Sequence, residues 1–248
     1  IALVDGIAMG GGVGISVHGS HRIASERTLF AMPETGIGLI PDVGGGYFMP
    51  RLAGKAGMFL ALSGTRLKAA DCLAFGIATH YVPSDRLERL IAALADADLA
   101  APPAVDAVIA DFVGDPGPGD VINEADRINE HFAGDSVETI LDSLDGDGAP
   151  WAQEMAKTLR RMSPTSMKLT FRQMREGAGL NLRQALMLEY RIVSAIKSGH
   201  DFYEGVRAQL IDKDRNPKWQ PATLAEVTPE MVDAYFQEPP WGDLRFQD

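Results

Sequence analysis

The chain opens on a short apolar run, Ile1-Ala2-Leu3-Val4, closed by Asp5. So brief and continuous a run predicts a buried strand. Two more strand-like pieces follow at 21–25 and 28–32, with the polar Ser25-Glu26-Arg27 between their apolar cores. Residues 13–19 are predicted to form a short helix behind a run of three glycines. Residues 33–42 are rich in Gly and Pro and read as a turn-bearing connection. Helical spacing then covers 44–52, 55–62 and 67–75, and 79–82 is strand-like. Ser84 is placed to cap a helix running to about Asp96. This alternation of strands and helices predicts an α/β class for residues 1–98. The pattern changes at 100–120, where Pro102, Pro103, Pro116 and Pro118 sit among Gly and Asp. Beyond it strand patterns almost vanish. Helical spacing covers 121–132, 137–144, 151–162, 166–175, 182–197, 201–211 and 229–236. The expected division is an α/β part, 1–98, and a helical C-terminal region, 99–248.

Composition narrows the partners. The 248 residues are 46% hydrophobic, enough for a substantial core. A net charge of −11 argues against nucleic acid, and against steering of an anionic ligand by the surface as a whole. A phosphate-bearing ligand would need a local basic patch. The single cysteine, Cys72, excludes an internal disulfide and suits a reducing compartment. No apolar run reaches the ~18 residues of a membrane span, and no signal or transit peptide is legible. The start at Ile1 rather than Met leaves room for a lost leader. His18, His21, His80, His131 and His200 lack metal-ligand spacing, so no metal is expected.

Candidate chemistry gathers between Met9 and Asp42. Gly10, Gly11 and Gly12 let a ligand approach bare backbone N–H groups at a predicted helix start. The acids Glu34 and Asp42 follow at short range. Donors for an oxyanion beside paired carboxylates outline an acyl-transfer site. The turn is not a nucleotide fingerprint: it lacks G-x-G-x-x-G spacing and a following Lys-Ser/Thr. Plainer readings stand alongside. Asp42 could cap the helix that follows, and Glu34 could be a solvated loop acid. Ser163-Pro164 reads as a helix start, His80 as a structural residue, and Phe48, Met49 and Phe59 as core. Arg66, Lys68, Lys168, Arg172, Lys197, Arg207 and Lys213 could meet phosphates, but each alone reads as a solvated charge.

Several long segments together resemble the enoyl-CoA hydratase/isomerase (crotonase) superfamily, and within it the 3-hydroxyisobutyryl-CoA hydrolases. They are ALVDGIAMGGGVGISVHG, FAMPETGIGLIPDVGGGYFMPRL, LALSGTRLKAAD, GIATHYV, MSPTSMKLTFRQM, LEYRI and GHDFYEGVRAQLIDKDRNPKW. They span nearly the whole chain in the family's order. The resemblance implies a ClpP/crotonase strand-strand-helix spiral, with 1–98 its second part and the helical region an extension. The first part of that core would lie outside this chain, with the second oxyanion N–H and part of the coenzyme A cradle. The first strand would then lack a neighbour it needs.

The resemblance also implies roles. The Gly11 N–H would bind the thioester oxygen, with Gly10 and Gly12 shaping the turn. Hydratases carry a glutamate where this chain has Gly14, which argues against hydration. Their second glutamate matches Glu34. Pro41-Asp42 replaces a common Pro-Gly, making Glu34 and Asp42 the implied acid pair of a hydrolase. The implied reaction is hydrolysis of 3-hydroxyisobutyryl-CoA to 3-hydroxyisobutyrate and free coenzyme A, in valine catabolism. No cofactor is implied, since coenzyme A is part of the substrate. Trimers or hexamers are common in the superfamily. The implied compartment is the bacterial cytoplasm, or the mitochondrial matrix of a eukaryote. Hydration or isomerisation of another acyl-CoA, and a non-catalytic coenzyme A-binding or subunit-partner role, stay open.

Overall fold

The computed structural model describes residues 1–98 and 102–247. Its strands are β1 (Ala2–Val4), β2 (Ile7–Met9), β3 (Arg22–Ala24), β4 (Leu29–Ala31) and β5 (His80–Tyr81). Its helices begin with α1 (Gly11–Gly14), α2 (Gly45–Phe48), α3 (Ala56–Ser63), α4 (Ala69–Ala74), α5 (Leu87–Asp96) and α6 (Pro102–Ala110). They continue with α7 (Ala125–His131), α8 (Val137–Gly146), α9 (Pro150–Leu159), α10 (Pro164–Gly177), α11 (Leu182–Ile196), α12 (Asp201–Val206) and α13 (Pro229–Tyr235). The chain forms two compact units: Ile1–Phe30 with Arg66–Glu124, and Ala31–Thr65 with Ala125–Asp248. Residues 31–65 thus belong with the helical region rather than with the strands. The predicted boundary at 98/99 abuts residues 99–101, which lie outside the described residues.

In the first unit, β1, β3 and β5 form a three-stranded parallel sheet in the order β1-β3-β5. Leu3 pairs with Ile23, and Ile23 with His80. The first strand therefore does have a neighbour here. β2 and β4 make a separate two-stranded sheet. Ile23, Val82, Leu87, Leu90 and Ile109 form the core, where the strands meet the amphipathic helices. Ser84 does not cap α5 as expected. Its hydroxyl and N–H both donate to Glu26, and a 3-10 turn, Ser84–Arg86, precedes the helix.

The second unit is built on α3, α10 and α11. Phe59, Leu60, Ala61 and Leu62 of α3 are fully buried. A core of Ile40, Leu169, Ile192, Ile196, Val227, Val232 and Phe236 joins α10, α11 and α13. The predicted helix start at Ser163-Pro164 is present: the Ser163 hydroxyl accepts the Ser166 N–H at 3.1 Å. Asn181 and Gln184 form a capping box on α11. Some packing is closer than any side chain allows. A Cβ on Gly177 would lie 1.9 Å from the Gly46 carbonyl oxygen, and one on Gly205 would lie 2.3 Å from that of Ile37. These two approaches set α10 against α2 and α12 against the 3-10 turn Glu34–Ile37.

Candidate active site

The glycine turn lies in the first unit. Gly10 takes φ 50°, in the left-handed region that a side chain disfavours. Its carbonyl accepts the Val13 N–H at 2.9 Å and the Gly14 N–H at 3.2 Å. Gly11 and Gly12 open α1, so their N–H groups precede any intrahelical acceptor. A Cβ at either would meet nothing within 4 Å. Crowding does not demand glycine there; the missing side chains leave the backbone approachable. Val13, fully buried, anchors the turn.

The two acids lie in the second unit. Glu34 begins the 3-10 turn Glu34–Ile37, whose start is closed by the Gly36 N–H donating to Pro33 O at 3.1 Å. The solvated-loop reading of Glu34 fails: the residue is 4% exposed, and its Oε2 has no hydrogen-bond partner. Burial, with a further push from the Asp42 charge, raises its pKa to about 8. Asp42 is half-buried, and burial raises its pKa as well. Asp42 is near enough for its charge to add to the rise at Glu34, whose main cause is burial.

The path of the chain through Asp42 is unusual. Val43 takes φ 52° and Gly44 φ 88°. A β-branched residue in the left-handed region is a strained one. The Asp42 carbonyl accepts the Gly45 N–H at 2.7 Å. The Asp42 side chain does not cap α2, against the plainer sequence reading. Glu189 of α11 does so from 145 residues away: the Gly44 N–H donates to its Oε2 and the Gly46 N–H to its Oε1, each at 2.8 Å. Gln173 of α10 donates from Nε2 to Pro41 O at 2.7 Å. Glu189 is 4% exposed. Its pKa rises to about 7, pushed up by burial and Asp42 and held down by the two N–H donors.

Sequence reasoning did not single out Glu189. The available clue is its register: it shares a helical face with the buried Ala185, Ile192 and Ile196, so it is an acid inside an apolar stripe. Met49 and Phe59 are fully buried core, as expected, while Phe48 is half-buried. Of the basic residues considered for phosphates, Lys168 pairs with Glu138 at 2.7 Å, and Arg172 with Glu176 and Asp233. Arg207 is held by Glu204, Asp212 and Asp214. Among the described residues no group of three or more His, Cys, Asp or Glu side chains is arranged to hold a metal ion, and no helix is long and apolar enough to cross a membrane.

Known proteins match this architecture. The family model described as enoyl-CoA hydratase/isomerase matches residues 1–236. The mitochondrial 3-hydroxyisobutyryl-CoA hydrolase of Mus musculus is 51% identical over 251 residues, and the same enzyme of Homo sapiens 48%. Each match covers 99% of this chain but 65% of the relative, so the chain spans about two-thirds of their length. Among solved structures, a carnitinyl-CoA dehydratase from Mycobacterium thermoresistibile superposes with TM-score 0.88 at 41% identity, covering 97% of this chain and 68% of that one. An enoyl-CoA hydratase from Rhodobacter sphaeroides 2.4.1 gives 0.87 at 37%, covering 98% and 69%. The small parallel sheets and abundant helices are those of a crotonase-type fold, and the chain belongs to the enoyl-CoA hydratase/isomerase family.

Proposed function

We propose that the protein hydrolyses the thioester of 3-hydroxyisobutyryl-CoA, releasing 3-hydroxyisobutyrate and free coenzyme A. The observation that carries this reading is Glu34: buried, with an unpartnered oxygen, a pKa near 8 and Asp42 beside it. An acid so placed exchanges its proton near neutral pH, as a base or nucleophile must. The names of the mitochondrial relatives support the choice of substrate. In this mechanism Glu34 takes a proton from water as the water oxygen bonds to the thioester carbon, or attacks that carbon itself. The carbonyl oxygen becomes an oxyanion, assigned on the family pattern to the Gly11 N–H, with Gly10 and Gly12 shaping its turn. The C–S bond then breaks and coenzyme A leaves as thiolate; on the route by direct attack, water next opens the Glu34–acyl anhydride, which frees the acid and regenerates the Glu34 carboxylate. Asp42 orients the substrate hydroxyl or assists proton transfer. No cofactor takes part, since coenzyme A belongs to the substrate. The compartment of action follows the source: cytoplasm in a bacterium, mitochondrial matrix in a eukaryote.

Hydration is the second reading, favoured by the names of the two similar solved structures. Gly14 speaks against it, because no second glutamate follows the glycine turn. The test is thiol release from 3-hydroxyisobutyryl-CoA with crotonyl-CoA hydration run on the same preparation. Thiol release without hydration is expected; hydration without thiol release would overturn the reading. Single turnover in heavy-oxygen water separates the two hydrolytic routes. Label in Glu34 marks covalent attack, because water then opens the anhydride at the Glu34 carbonyl; a Glu34 that never takes up label counts against the covalent route.

A further inference from the structure

We propose that Glu189 is a positioning residue for Asp42, gripping the backbone immediately after it while Gln173 grips the backbone immediately before it. The inference rests on the hydrolase reading for what Asp42 does, but its geometry stands apart from that reading.

Glu189 uses both carboxylate oxygens on backbone N–H groups, those of Gly44 and Gly46, at 2.8 Å each. Gln173 fixes Pro41 O at 2.7 Å and reaches Glu189 Oε1 at 3.5 Å. Asp42 is thus bracketed by anchors from α10 and α11. Between the anchors, Val43 sits at φ 52°. Left-handed backbone at a β-branched residue is strained and persists only where its surroundings over-determine it. The two side chains supply that determination. Gly46 makes room for them: a Cβ there would come within 2.9 Å of Gln173 Nε2 and 3.2 Å of Glu189 Oε1.

The clasp has a chemical consequence. A helix start commonly recruits a nearby Asp to accept its first N–H groups. Here a distant acid accepts them, so the Asp42 carboxylate is not drawn onto the helix. A four-residue helix of Gly45–Phe48 needs no buried glutamate for its own sake. Burying a carboxylate is costly unless its hydrogen bonds repay desolvation. The arrangement makes sense as a device for the turn that carries Asp42.

A double-mutant cycle on the full chain tests this, with thiol release from 3-hydroxyisobutyryl-CoA as readout. Glu189→Gln puts an amide N–H where a carboxylate oxygen received one. It is expected to lower kcat about tenfold or more with KM within about twofold, because a displaced acid harms the reacting complex more than binding. Combined with Asp42→Asn it is expected to be no slower than Asp42→Asn alone. Gln173→Met is expected to behave the same way, and carries the test if Glu189→Gln does not fold. Losses that multiply would show that Glu189 acts on something other than Asp42 and overturn the proposal, as would a wild-type kcat in Glu189→Gln. If Asp42→Asn alone keeps full thiol release, the hydrolase reading of Asp42 fails, and amide exchange decides the clasp by itself. Gly44 and Gly46 amides exchanging as slowly in Glu189→Gln as in the wild type would overturn it; faster exchange confined to 41–46 supports it.

Discussion

Under the proposed hydrolysis, Glu34 sets function against stability at a single side chain. Its pKa is about 8 in the folded protein, against an ordinary 4.5. Between those values the unfolded chain has released the proton that the folded chain still holds. Stability attributable to this group is therefore intact below about pH 4.5, declines as pH rises toward 8, and is lost above it. Glu34→Gln is expected to abolish thioester hydrolysis, by about 10³-fold or more. It is also expected to raise Tm by a few degrees at pH 8–9, with the gain shrinking toward pH 5. Melting both proteins across pH 5–9 checks the sign; a gap that ignores pH would mean that folding leaves the Glu34 pKa where it is in the unfolded chain. In the wild type, kcat/KM should rise with pH toward 8 as Glu34 ionises. At this scale the two acids were legible as candidates from residue type, short spacing and family pattern. Their burial was not, because a Pro-Glu in a Gly-rich loop looks solvated until α10, α11 and α12 are laid over it. Glu189 was illegible for a related reason: what makes it special is two N–H donors more than 140 residues away.

Between elements, glycine decides how closely the backbones meet. Gly205 of α12 lies against Ile37 in the turn that begins with Glu34, and a Cβ would fall 2.3 Å from the Ile37 carbonyl oxygen. Gly205→Ala must push α12 off that turn, at a cost of about 1–3 kcal/mol. A Cβ on Gly146, which ends α8, would meet nothing within 4 Å. Gly146→Ala should leave stability unchanged or raise it by up to ~1 kcal/mol through helix propensity and a less flexible unfolded chain. Paired denaturant titrations of the two variants check this; equal midpoints would refute it. Helical periodicity located the C-terminal helices well, since a 3.6-residue apolar stripe survives wherever a helix packs on a core. It missed that 31–65 belongs with those helices. Local pattern says that a face is buried, not what buries it. Ser84 fails for the same reason: a sound cap by type, it is taken by Glu26.

For the molecule as a whole, charge is the lever. A net −11 opposes the approach of an anionic coenzyme A ester. Raising salt from about 20 to 200 mM shortens the screening length severalfold. The expected outcome is a kcat/KM that rises with salt while kcat stays level. A fall with salt would reveal a cationic patch strong enough to outweigh the rest of the surface. The fold class was legible at this scale because motifs spread along nearly the whole chain fell in the family's order. The division into two units was not, because it depends on which distant segments touch, and composition records only the proline-rich stretch between patterns.

Val43, finally, marks a place where engineering for heat resistance would go astray. A valine at φ 52° is under strain that asparagine tolerates far better in the left-handed region. A library sorted by survival at high temperature would favour Val43→Asn. The same relief would slacken the turn beside Asp42, so the hardier protein would be the slower one. Position 43 is therefore one to hold fixed while other sites are varied.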